Sequence, residues 1–401
     1  MSNTILTPSV LAKEMLRVLM NECPTLGAVN RNYDKQYAIP GAKIGDTINI
    51  RKPPRYTVGT GRVATAQDYA ETSVALTLDT QKHVMIQFTS RDLTLSLDDF
   101  SERVIQPAIV PLGNAVEVAI LDRMGLDTYQ AVGTPGTTPA TLQLWLDAGA
   151  KLSLSSTPSN LRSIVLDPVA QARTVDALKG LFEAGPEIRK QYMEGRMGRA
   201  VGFDWYMGQN VRRHTVGPLG GTPLVNGASQ SGASLITDGW TASAASRLKE
   251  GDIFTIDDVY AVNPVSKQST GQLAQFVVTA DVSSDGSGNL TAAISPAITL
   301  TGTGQNVDSL PANNAGINVL GAASTLTPCN LAFHRDSATV GFADLVMPSG
   351  VWGARYSDEK TGVSVRLVKQ YDLPNDMEMC RFDLLFGVKT LYPEWICRVQ
   401  G

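Results

Sequence analysis

The sequence predicts an α+β chain with a small all-β module set into one parent domain. Three observations carry this. An alanine-rich helical stripe runs from 98 to 130. Helix and strand alternate from 142 to about 195. At about residue 215 the composition shifts to Gly, Ser, Thr, Ala, Asn and Val, with strand-like runs parted by turn signals, and mixed character returns after 330.

Composition bounds the reading before any element is placed. The chain has 401 residues, 18% of them charged and 43% hydrophobic. Ordinary globular proteins carry roughly 25% charged residues. The chain is too apolar and too weakly charged for intrinsic disorder, and long enough for two or three domains. It has no apolar run of about 18 residues, so no transmembrane helix is expected. Its first residues lack a basic stretch before an apolar core, so no secretory signal is expected. A net charge of -4 offers no bulk attraction to nucleic acid or anionic membrane. So little charge on so long a chain implies surface hidden against partners, or surface covered by Ser, Thr, Gly and Asn.

The elements follow in order. Thr7 caps and Pro8 opens a helix over 7–21, with Val10, Leu11, Met15, Val18 and Leu19 at helical spacing, ended by Cys23-Pro24. Ile44, Ile48 and Ile50 alternate, as do 73–78 and 83–88, with a Gly- and Thr-rich stretch over 56–72 between. These read as a long two-stranded ribbon with a basic, Pro-stiffened flank, and a bare ribbon needs something to lie on. In the 98–130 helix Asp98 or Asp99 caps. Ala108, Leu112, Ala115, Val116, Ala119, Ile120 and Met124 form the stripe, and Pro107 and Pro111 imply a kink or restart. GTPGTTP within 131–140 reads as a linker. Helices over 142–153, 169–181 and 186–195 flank a buried strand at 163–166. In the module, strands are expected at 252–256, 274–279 and 290–294, with a turn at Asp285-Gly286-Ser287-Gly288, and the whole reads as a barrel. Helix is expected again at 336–345, and strand over 363–399.

Chemistry-bearing motifs are scarce. There is no P-loop, no dinucleotide fingerprint, no HExxH and no GxSxG elbow; 227–231 lacks the closing glycine. No catalytic residue and no cofactor is expected. The four cysteines are scattered without CxxC spacing, which predicts free thiols in a chain folded in a reducing, cytosolic setting. Cys329 and His334 read as core and surface and not as zinc ligands. Residues 281–292 place Asp281, Ser283, Asp285, Gly286, Ser287 and Asn289 as a calcium loop would, but Ala292 stands where a bidentate Glu is needed; a polar hairpin turn explains them better. The candidate contact residues are Arg51, Lys52, Arg55 and Arg62, on the ribbon's flank. They suit phosphate, solvent, or acidic residues of a neighbouring subunit, and the last is favoured because a projecting ribbon needs a surface. Arg212-Arg213-His214 reads as an exposed domain edge. Aromatics are only 6%, too sparse for a single-strand binding surface.

The order of elements, more than any single motif, resembles the major coat proteins of tailed bacteriophages with the HK97-like fold, and within them the P22-like coat family. The stretches that carry the resemblance are 88–93 running into 114–117 and Met124, then 201–204, 248–252, 330–334 with Pro348, and Arg381, Asp383, 387–388 and 393–394. The resemblance implies an N-terminal arm over 1–35 and an E-loop ribbon over 36–87. It implies a peripheral domain with a spine helix over 88–135 and a first part of the axial domain over 136–217. An inserted β-barrel over 218–328 and axial and peripheral return strands over 329–401 complete it. It further implies hexameric and pentameric capsomers, a scaffolding protein, a portal protein, enclosed double-stranded DNA held without specific binding, no membrane, and a place in the virion after assembly in the host cytoplasm. The stretch 296–327 matches nothing in that pattern, and no Lys and Asn motif for covalent cross-linking is evident. An encapsulin-like compartment and a carbohydrate-binding surface protein are the other classes the sequence leaves open.

Overall fold

The computed structural model describes residues 12–13, 15–17, 19, 23–31, 47–56, 58, 61–62, 66–67, 71–89, 106–178, 198–243, 245–357 and 362–401. The expected caps at Thr7, Asp98 and Asp99 and the helix over 186–195 lie outside them.

The helices are α1 (Pro24–Ala28), α2 (Gln106–Asp127), α3 (Leu142–Leu154) and α4 (Pro168–Leu178). The strands begin with β1 (Thr47–Lys52), β2 (Thr72–Thr77), β3 (Thr80–Thr89), β4 (Gln130–Val132), β5 (Arg162–Leu166), β6 (Arg199–Ala200), β7 (Phe203–Met207) and β8 (Arg213–Thr215). They continue with β9 (Gly221–Val225), β10 (Gly232–Trp240), β11 (Ile253–Val262), β12 (Ser269–Val278), β13 (Leu290–Ile298), β14 (Ile317–Val319) and β15 (Leu326–Pro328). The last are β16 (Asn330–His334), β17 (Ala338–Ala343), β18 (Trp352–Ser357), β19 (Ser364–Asp372), β20 (Met377–Thr390) and β21 (Ile396–Val399). The chain is of mixed α and β character. It divides into two compact units, one of residues 1–51, 73–120 and 338–391, the other of 52–72, 121–337 and 392–401.

The first unit is organised by the 14-residue β20. Its length lets β19 and then β17 pair with successive stretches of it, while β3 pairs over 377–386 and β18 extends the sheet from β19. The alternating Phe382, Leu384 and Phe386 are buried, and Phe342 of β17 lies 6.0 Å from Phe386, ring to ring. Asp383, on the opposite phase, is also buried. Arg366 donates to it through Nε (2.8 Å) and Nη2 (2.7 Å), and Arg381 adds a third bond at 2.8 Å. A buried carboxylate is tolerable only when so paired. Glu117 of α2 is buried too and accepts from the Thr25 hydroxyl at 2.6 Å.

Two expectations are corrected in this unit. Among the described residues the ribbon pairs β1 with β2, and β3 pairs with β20 instead. Residues 338–343 form strand β17 and not a helix. An apolar run of this length does not declare its period, and here five successive residues are buried, as in a strand covered on both faces. The helix α2 also passes through Pro111 without a restart. Pro111 lies in the second turn, so it forgoes one bond near the helix start and leaves the later ladder intact.

The second unit holds a six-stranded mixed sheet in the order β4-β21-β16-β5-β7-β6, parallel between β21 and β4 and between β5 and β7. Helix α3 lays Trp145, Ala148 and Leu152 on it, against Ile164, Leu166, Phe203 and Val399. Trp145 meets Trp205 edge-on at 5.0 Å. The chain leaves this sheet after β7 and returns to its middle as β16. Between them lie β8 and β15, which pair antiparallel as outgoing and incoming strands. Everything from 221 to 319 hangs from that pair. There six strands run in the order β14-β11-β12-β13-β10-β9, and β9 meets the segment leading into β14: Val225 N donates to Ala315 O and Asn314 N to Val225 O, both at 2.9 Å, and Leu224 bridges Gly316. The strands thus close into a ring around Leu235, Phe254, Ile256, Phe276, Val278 and Ile294. Closure removes the exposed edge that an open sheet of this polarity would carry.

The segment read as a linker is pinned. Thr134 N donates to Gly401 O (2.7 Å) and Gly401 N to Thr137 O (3.1 Å). Gly133 has φ +88 and its Cβ position is filled by the Gln400 carbonyl, so only glycine fits where the last strand passes. Asp285 does make the expected turn, accepting from the amides of Ser287 and Asn289 at 2.8 Å each.

Candidate inter-subunit contact site

Of the four cations singled out by sequence, Arg51 and Arg62 are exposed, while Lys52 and Arg55 meet the turn Pro393–Trp395 near the end of the chain. A Pro-Pro pair separates Lys52 from Arg55. Proline restricts the backbone, and in an extended proline helix residues three apart share a side. Arg55 Nη2 donates to Glu394 Oε1 at 2.6 Å. Lys52 Nζ lies 4.7 Å from the centre of the Tyr392 ring. Tyr392 stacks on Trp395 at 4.1 Å with 19° between planes, and Trp395 meets buried His334 edge-on at 5.3 Å. Burial pulls the Lys52 ammonium below the ordinary lysine range and Arg55 adds to this, while Glu394 acts the other way.

Behind Arg55 is a cavity of about 260 Å³, lined by Tyr129, Gln130, Lys151, Gln275 and Glu394 among others. Gln130 Nε2 donates to the Glu394 carbonyl at 3.2 Å and Lys151 Nζ to Ala131 O at 3.2 Å. Burial lowers the Lys151 ammonium and raises the Tyr129 phenol. This wall offers hydrogen bonds and charge. Among the described residues no three His, Cys, Asp or Glu side chains gather as metal ligands. No described helix is long and apolar enough to cross a membrane.

A second polar cluster, missed by sequence, sits at the neck of the strand ring. His214 Nε2 and Asp252 Oδ1 are 2.7 Å apart and both residues are buried, which corrects the exposed-edge reading for His214, while Arg213 is exposed. Asp252 also accepts from Gly217 N (3.0 Å) and Lys249 N (2.8 Å). Arg212 pairs with Asp122 at 3.0 Å. The fully buried Arg398 donates to Gly125 O, in the last turn of α2, and to Gly251 O, beside Asp252. A cation at a helix C-terminus complements the helix dipole. His334 is buried as well, so Cys329 and His334 are both core and not core and surface. Only the 38-residue separation hid the His214–Asp252 pair; Asp252 directly before an apolar strand was the one available signal.

The comparisons with known proteins bear on this geometry. The family model described as P22 coat protein, gene protein 5, matches residues 9–399. The chain belongs to the P22 coat protein family. It is a major capsid protein of the phage-head type, a structural protein whose place is the virion shell, where capsomers are built from copies of one chain. A search of curated proteins finds no match. Among solved structures, the chain is similar to one from Mycobacterium phage Che8, at 13% identity, covering 93% of this chain and 89% of that one with a TM-score of 0.48. It is similar to the capsid of cyanophage P-SCSP1u at 8% identity, covering 89% and 84%, with a TM-score of 0.44. It is similar to the mature capsid of bacteriophage PhiM1 at 11% identity, covering 89% and 82%, with a TM-score of 0.42. The assignment to the P22 coat protein family rests on the family match.

Proposed function

We propose that copies of this chain form hexameric and pentameric capsomers that close into an icosahedral head around double-stranded DNA, by way of a precursor shell built on a scaffolding protein, with a portal protein at one vertex. The family match over 9–399 is the observation that carries this reading. Within it, the closed strand ring of 221–319 serves as the family's inserted barrel, in a domain over 218–328. The other divisions are an arm over 1–35, an E-loop ribbon over 36–87, a peripheral domain with spine helix α2 over 88–135, an axial part over 136–217 and return strands over 329–401.

The mechanism is interfacial. Many weak contacts repeat under closed symmetry, and a contact that failed to close would yield sheets or tubes instead. Arg51, Lys52, Arg55 and Arg62 supply part of these contacts by meeting carboxylates of a neighbouring copy. A net charge of -4 suits a wall that encloses DNA without holding it tightly. Expressing the chain with its scaffolding protein and viewing the products by electron microscopy tests the proposal. Closed shells are expected. A chain that stays monomeric at high concentration with that partner present would overturn it.

A further inference from the structure

The base of the basic segment is held by its own chain, and the way it is held leaves it open to exchange. Arg55 gives Glu394 a single hydrogen bond, through Nη2, although a guanidinium can offer a carboxylate two. The Arg55 side chain is 46% exposed and that of Glu394 only 16%. The acceptor is therefore the fixed half of the pair and the cation the reachable half. The turn bearing Glu394 is braced by the Tyr392–Trp395 stack, by Tyr392 N donating to Ser337 O at 3.0 Å and by Trp395 N donating to Tyr392 O at 3.0 Å. The donors arrive on the short Lys52-Pro53-Pro54-Arg55 run, so both are seated or released together.

We propose that Lys52 and Arg55 form a self-latch on Tyr392 and Glu394, which holds the basic segment against its own chain until a carboxylate of a second copy takes Glu394's place on Arg55. The exchange half of this rests on the reading of these cations as inter-subunit contacts; the latch itself does not. Two cations crowd this spot and Glu394 is the charge that offsets them, so an incoming carboxylate does the same work, at the cost of leaving Glu394 to water. An exposed pair of this kind weakens as salt rises.

The latch is tested on the unassembled chain by chymotrypsin, because Tyr56, 55% exposed, directly follows Arg55. At low salt Glu394→Gln is expected to speed cleavage after Tyr56 several-fold. High salt should bring the parent chain toward the variant, and the swap Arg55→Glu with Glu394→Arg should restore the parent rate. Equal rates for parent and Glu394→Gln, or a swapped chain cut as fast as the single variant, would overturn the latch. Exchange is tested by light scattering with scaffolding protein. Glu394→Gln, which frees Arg55, should hasten shell formation, and Arg55→Gln, which removes it, should slow it. Two variants that move assembly in the same direction, or leave it unchanged, would overturn exchange. If the parent chain forms no shells, the capsid reading fails while the cleavage result stands.

Discussion

At the neck of the strand ring Asp252 is 1% exposed and accepts from His214 and two backbone amides, with Arg398 bonded to the carbonyl beside it. In the basic segment Arg55 is half exposed and touches Glu394 once. Both places join a carboxylate to a cationic or protonatable partner within the same unit. They differ in what would happen if one partner left. At the neck, water cannot replace the lost partner, so the groups specify one arrangement of ring and sheet. At the basic segment water or another carboxylate replaces it at once, so the contact sets a preference and not a structure. A shell subunit needs both kinds: fixed joints inside the chain and exchangeable ones on its surface.

The contrast is sharpest in the largest expected effect. Asp252→Ala leaves His214 and two buried amides without their acceptor and should cost about 3–5 kcal/mol, read as a fall in the urea midpoint. A neutral result would mean that the neck, too, is wet and adaptable. Phe276→Ala empties the ring core next to Phe254, 5.8 Å away, at about 3–5 kcal/mol. If it proves milder than Asp252→Ala, polar specification outweighs packing in this module. Arg398→Met orphans the carbonyls of Gly125 and Gly251 and should cost about 1–3 kcal/mol per unsatisfied group.

A pH titration separates the regions more finely. Burial holds the His334 imidazole below its usual 6.5, so the native state keeps it neutral where the unfolded chain binds a proton. Its contribution is present above that value and is lost as pH falls through it and below. His334→Phe should therefore flatten the stability slope in that window, measured by urea unfolding at several pH values. An unchanged slope would show that water reaches the imidazole. The smallest expected effect is that of Arg55→Ala, about 0.5 kcal/mol or less on global unfolding, even though the same change should visibly loosen the segment.

Much of the fold was legible. The long helix, the α3–β5–α4 succession, the polar β module and the final strands are each written in local periodicity and turn residues. Runs whose structure depends on a distant partner were not. Residues 338–343 looked helical because an apolar run does not declare its period, and β20 decided it. The segment 131–140 looked loose because Gly and Pro signal a turn but not what the turn will touch, and residues 400–401 decided that. At the contact site the cations stood out as a cluster, whereas Glu394 and Tyr392 did not. A lone carboxylate some 340 positions away carries no local mark.

The sequence by itself determined that this is an α+β chain of low charge with a β module set into a parent domain, because composition and spacing are local properties. Its likeness to a coat-protein family was legible in the order of those parts. Only the tertiary structure decided where charge is buried and where it stays reachable. Asp252, Asp383 and Glu394 are chemically alike in the sequence. Asp252 and Asp383 are enclosed and each accepts several bonds, which makes them fixed joints, whereas Glu394 holds a single bond from Arg55, whose exposure leaves that cation open to exchange.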